Sequence, residues 1–110
     1  MSKRKVFISQ PMSGLTEREI LEARHKAIKA IQETYDDVEI IDSYFSPDIR
    51  NLLETSFDDI KNWSLYYLGT AIQKLSQADT LWLVGDWQHS NGCNIEFDCA
   101  NRYGLDIVYN

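Results

Sequence analysis

No apolar run in this chain approaches the ~20 residues of a membrane-spanning helix, which excludes a helical membrane protein as the reading of these residues. Positive charge is scarce. Eleven Lys and Arg stand against seventeen Asp and Glu, a net charge of −6. That balance argues against a nucleic-acid polymer held on a broad basic surface. A small anion remains admissible, because a few backbone N–H groups at a helix start suffice to hold one. There are only two cysteines, Cys93 and Cys99, and two histidines, His25 and His89. Four-ligand zinc sets of Cys and His are absent, so no metal is expected. Six positions apart on one predicted helix, the cysteines point to different faces and cannot bridge within it. Neither a Walker loop nor a G-x-G-x-x-G fingerprint occurs, and no internal repeat or low-complexity tract interrupts the chain.

What is present is enough for one core. The 110 residues are 44% hydrophobic, which fits a single small α/β domain spanning 1–110. The opening "MSKRKVFIS" has a basic tip, but "VFIS" is too short for the apolar stretch of a signal peptide. It reads as a strand, and the expected location is cytoplasmic.

Strand and helix patterns alternate. "KVFIS" (5–9) is β-branched and aromatic and ends at "QPMSG". Thr16 with Glu19 forms a capping box. Ile20, Ala23, Ala27, Ile31 and Tyr35 then recur at spacings of three and four, predicting an amphipathic helix. "VEIID" (38–42) is a second strand. Residues 43–62 are irregular and partly helical: Ser46-Pro47 opens a short helix and Ser56 with Asp59 caps another turn. This insert is either a packed subdomain or a lid over a site. "WSLYYLGTAIQKLSQA" (63–78) is the next helix, with Leu65, Leu68, Ile72 and Leu75 as its apolar stripe. Gly69 inside it costs about 1 kcal/mol against Ala, which a close helix–sheet contact would explain. "TLWLV" (80–84) is a strand buried on both faces. After the loop "GDWQHSNG", residues 90–104 form the last helix and "LDIVY" (105–109) the last strand.

Such an order implies a mainly parallel sheet of four to five strands, doubly wound, with helices on both faces. Ligands of such sheets bind outside the carboxyl ends of the strands, near the switch point. The segments arriving there are "SQPMSG", "DSYF" and "GDWQHSNG". Ser13 and Gly14 precede a capped helix start, and Ser90 and Gly92 hold the equivalent place before the last helix. Trp87 is placed to stack on a flat ligand at that edge, and Tyr44 and Phe45 to line the same crevice, with core or interface packing as the alternative for each. In the last helix, Cys93, Phe97, Ala100 and Gly104 make a weak apolar stripe, and Glu96 lies on it while Asp98 points away. A carboxylate on a packing face near a crevice can act as a general base, a nucleophile or a ligand acceptor.

Three pieces of the chain, "VFISQPMSG", "ADTLWLVGDW" and "SNGCNIEFDCANRYGLDIVY", together resemble the nucleoside 2-deoxyribosyltransferase-like superfamily. Within it they resemble the small DUF4406-type proteins. The resemblance covers most of the chain outside roughly 43–62. It implies a flavodoxin-like fold and cleavage of an N-glycosidic bond in a nucleoside or nucleoside 5′-monophosphate. It assigns Glu96 as the nucleophile that takes the sugar as a glycosyl ester. Ser90 and Gly92 would hold a phosphate. The loop Ser9, Gln10, Pro11, Met12, Ser13 and Gly14 would hold phosphate or sugar, with Gly85, Trp87 and Tyr44 around the base. No cofactor is implied, and a homodimer or higher homo-oligomer is. One position departs from the pattern: Ala71 stands where characterised members carry an Asp that assists the leaving base. Asp86 is the nearest candidate substitute, on a different loop. A binding protein of the same fold, capturing a nucleotide without cleaving it, is therefore the alternative.

Overall fold

The computed structural model describes residues 3–41 and 60–109. In chain order the elements are β1 (Arg4–Ser9), α1 (Glu17–Thr34), β2 (Val38–Ile41), α2 (Trp63–Leu75), β3 (Thr80–Leu83), α3 (Asn91–Arg102) and β4 (Asp106–Tyr109). A single 3₁₀ turn, Trp87–His89, links β3 to α3. Most of the expected insert, residues 43–59, lies outside the described residues, and Tyr44 with it.

The four strands form one all-parallel sheet in the order β2-β1-β3-β4. That is the flavodoxin-like winding, with its switch point between β1 and β3. The two central strands explain the two half-cores. Side chains of a strand alternate between faces. Val6 and Ile8 of β1 and Trp82 of β3 pack with Ala27 and Ile31 of α1. Phe7, Leu81 and Leu83 go to the other face, against Ala71 and Leu75 of α2 and Ala100 of α3. Helices therefore cover both faces of the sheet.

Local chemistry fixes the helix ends. Thr16 and Glu19 make both bonds of the capping box: Glu19 N–H donates to Thr16 Oγ1 at 3.1 Å, and Thr16 N–H donates to Glu19 Oε1 at 3.1 Å. Asn62 caps α2 by accepting from Leu65 N–H at 2.9 Å. Gly104, with φ of +77°, turns the chain out of α3, a conformation that a Cβ disfavours.

Two expectations need correction on α2. Leu65 does not belong to the buried stripe; it is 64% exposed, and the buried positions are Ala71 and Leu75. Gly69 makes no close helix–sheet contact, since it is exposed and a Cβ built there meets no atom within 4 Å among the described residues. On α1 the buried row includes Arg24 beside Ile20, Ala27 and Ile31. No helix among the described residues is long and apolar enough to cross a membrane.

Candidate functional site

β1 and β3 diverge in their connections at their carboxyl ends, and the residues that follow them open a cavity of about 290 Å³. That is near the lower bound of the ~300–1,000 Å³ typical of small-molecule sites. Its wall is built from three places. Ile8, Gln10, Met12 and Ser13 come from the end of β1 and its loop. Ser64, Tyr67, Leu68 and Ala71 come from α2, and Ser90, Gly92, Cys93 and Glu96 from the start of α3.

Glu96 sits in the second turn of α3, on the row Cys93, Glu96, Ala100 that is buried against the sheet. It is 8% exposed, and Ser9 Oγ donates to its Oε1 at 2.6 Å. Ser9 is aimed there by the alternation of β1, which sends it to the same face as Phe7. The two effects on the carboxyl oppose each other. Burial raises its pKa, the Ser9 hydrogen bond lowers it, and burial wins, leaving it raised to about 7. Near neutral pH both forms are therefore populated, the condition for a group that must exchange between them. Asp98, two positions on, is exposed and accepts from Arg102 Nε at 3.0 Å.

Ser90 is the N-cap of α3, its Oγ accepting from Cys93 N–H at 3.3 Å. Gly92 follows in the first turn, where backbone N–H groups lack intrahelical acceptors. Cys93 is buried beside Ser9, Ser90 and Glu96, and burial pushes its thiol up, away from the reactive thiolate. Gln10 is buried at the end of β1, and its Nε2 donates to the carbonyl of Ile20 at 2.9 Å. Glu96 is the one charged side chain lining the cavity among the described residues.

The structure thus brings together Ser9, Gln10, Met12, Ser13, Ser90, Gly92 and Glu96. Pro11 and Gly14 belong to the same loop without lining the cavity, Gly14 being the turn residue with φ of +79°. The loop after β3 goes elsewhere. Gly85 is exposed with φ of +60° and lines a separate shallow hollow with Glu19, Glu22 and Lys26. Asp86 is exposed and does not line the cavity. Trp87 stacks on Phe97 at 5.1 Å between ring centroids and on Tyr109 at 5.9 Å, as part of the α3 packing. The 3₁₀ turn causes this, folding the loop back on the α3–β4 side instead of over the crevice.

Sequence reasoning missed Ser64, Tyr67 and Leu68. The signal was there: 64, 67, 68, 71 and 75 share one helical face. A more apolar row at 65, 68, 72 and 75 concealed it. Ala71, by contrast, was singled out as a departure, and it does line the cavity.

No curated protein and no solved structure matches this chain. A family model described as a domain of unknown function, DUF4406, matches residues 4–109, and the chain belongs to that family.

Proposed function

We propose that this protein cleaves an N-glycosidic bond in a nucleoside or nucleoside 5′-monophosphate, with Glu96 as the nucleophile. The observation that carries the reading is the buried Glu96 carboxylate, open to a cavity and held by the hydrogen bond from Ser9. In this reading a Glu96 oxygen attacks the anomeric carbon of the sugar. The C–N bond breaks, its electron pair leaves with the base, and an ester joins sugar to Glu96. A second base, or water, then displaces Glu96 and restores the carboxylate. Ser9 holds the attacking carboxylate in place. Ser90 and the first amides of α3 receive a phosphate or a sugar hydroxyl, as a helix start is suited to do. Met12, Ser13, Tyr67 and Leu68 enclose the rest of the ligand.

Where a second base is the acceptor, the chemistry implies base exchange. Incubating the protein with a 2′-deoxynucleoside and its isotopically labelled free base should place label in the nucleoside. Release of base with no label incorporated would favour water as acceptor. Absence of both would overturn the reading.

A second reading has its own observation. Ala71 lines the cavity where a carboxylate could serve the leaving base, and no second carboxylate lines it among the described residues. General acid help is worth about 10²–10⁴-fold in rate. The same cavity without it suits a protein that captures a nucleotide and does not cleave it. A Tm raised by a nucleotide, with no base released, would favour this second reading.

A further inference from the structure

The proposed reaction needs a proton as well as a nucleophile. When the C–N bond breaks, its electron pair stays on the base, and a purine or pyrimidine anion leaves poorly unless a proton reaches it. Glu96, the one charged side chain lining the cavity among the described residues, must itself be ionised to attack. The alcohols of Ser13, Ser64 and Ser90 on the same wall hold their protons too firmly. Cys93 is 2% exposed and precedes Glu96 by one turn on the same helix, and burial pushes its thiol up. One acidic group then remains on the cavity wall among the described residues, the phenol of Tyr67. A phenol holds its proton at neutral pH, yet gives it up far more readily than an alcohol does.

The placement of Tyr67 suits that task. The residue is half-buried, so the side chain is not sealed in the core. It stands on α2, while the nucleophile stands on α3, so the two reach the cavity from different helices. It shares the cavity-lining row of Ser64, Leu68 and Ala71 and precedes Ala71 by about one turn. Helical side chains lean toward the start of their helix. The start of α2 is the end that meets the cavity, since Ser64 in its first turn lines the wall. The rings of Trp63 and Tyr66 brace the Tyr67 ring, at 5.8 and 5.9 Å between centroids. A tyrosine packed along its apolar body keeps its polar tip toward the open side.

We infer that Tyr67 is a catalytic residue, the general acid whose hydroxyl gives its proton to the leaving base. The inference rests on the proposed glycosyl transfer and names the group that completes it. As the Glu96 oxygen bonds to the anomeric carbon, the C–N electron pair passes to the base. The Tyr67 proton moves to a ring nitrogen or carbonyl oxygen of that base, leaving a phenolate. The phenolate takes a proton back from the N–H of the second base, or from water, as that acceptor attacks the sugar and displaces Glu96.

The test compares two kinds of leaving group. A purine 2′-deoxynucleoside, 2′-deoxyguanosine or 2′-deoxyadenosine, loses an anion unless a proton is supplied. Its N7-methyl partner already carries a positive charge on the base, which leaves as a neutral molecule. Base release from each is followed by chromatography in wild type and Tyr67→Phe, with Glu96→Ala giving the background rate. Tyr67→Phe should lose about 10²–10⁴-fold on the parent nucleoside. On the N7-methyl partner it should keep the wild-type rate, which also shows that the variant is folded. Equal loss on both substrates means a structural or stacking role and overturns the inference, as does no loss on either. The wild type gives a second reading without any substitution. Its rate on the parent nucleoside should fall in D₂O, because a proton is in flight, and its rate on the N7-methyl partner should not; equal isotope effects overturn the inference too. Wild-type release from the N7-methyl partner alone removes the acid and leaves Glu96 as nucleophile. Release from neither removes both.

Discussion

At the residue scale the account rests on the protonation of Glu96. A nucleophile must be ionised. The raised value of about 7 therefore predicts that kcat/KM for base release climbs with pH and levels off above that value. A profile that falls through the same range would make Glu96 an acid and not a nucleophile. Replacing Ser9 with Ala removes the 2.6 Å bond that favours the charged form. The limb should then move to higher pH. The same group sets a stability slope whose sign is unusual for a carboxylate. Between 4.5 and about 7 the folded protein binds a proton that the unfolded chain has released. Its contribution is full below 4.5 and is lost as pH rises through about 7. Glu96→Gln has no such slope. Relative to wild type it should gain up to about 3 kcal/mol between pH 4.5 and pH 8, read from urea midpoints. A constant difference across that range would show that the carboxyl titrates normally.

At the element scale, helix ends and helix interiors make separate predictions. Gly69 is exposed on α2, and among the described residues no atom lies within 4 Å of the position of a Cβ. Gly69→Ala should therefore stabilise the protein by about 0.5–1 kcal/mol and raise its Tm. A fall in Tm would mean that the glycine is needed for something the described residues do not show. Much of this level was legible beforehand. The Thr16–Glu19 box, the buried β3 run and the Glu96 row of α3 are short-range patterns, and the sheet only had to accept them. The α2 row was not, because Leu65 and Tyr67 compete for the same helix and only tertiary packing decides which face turns inward. Trp87 and Asp86 lie outside the cavity for a related reason. The loop "GDWQHSNG" has the composition of a crevice lining, but a single 3₁₀ turn redirects it, and composition does not encode that direction. Gln10 was legible as a residue at the site, while its hydrogen bond required knowing that Ile20 offers a carbonyl beside it.

At the scale of the whole molecule, the parallel order β2-β1-β3-β4 places the end of β1, α2 and the start of α3 around one cavity. The alternation of strand and helix segments was sufficient to predict a doubly wound, mainly parallel sheet, while the flavodoxin-like arrangement came with the family resemblance. We propose a homodimer or larger homo-oligomer. Light scattering at working concentration should give at least twice the monomer mass, and a monomer would contradict that expectation. The central claim is that Glu96 carries glycosyl chemistry, and base release tests it most directly. Wild type and Glu96→Ala, both shown to be folded by circular dichroism, are incubated with a panel of 2′-deoxynucleosides and their 5′-monophosphates, and free base is followed by chromatography. The account predicts release by the wild type and its abolition in Glu96→Ala. Release at the same rate from both proteins, or from neither, would contradict it.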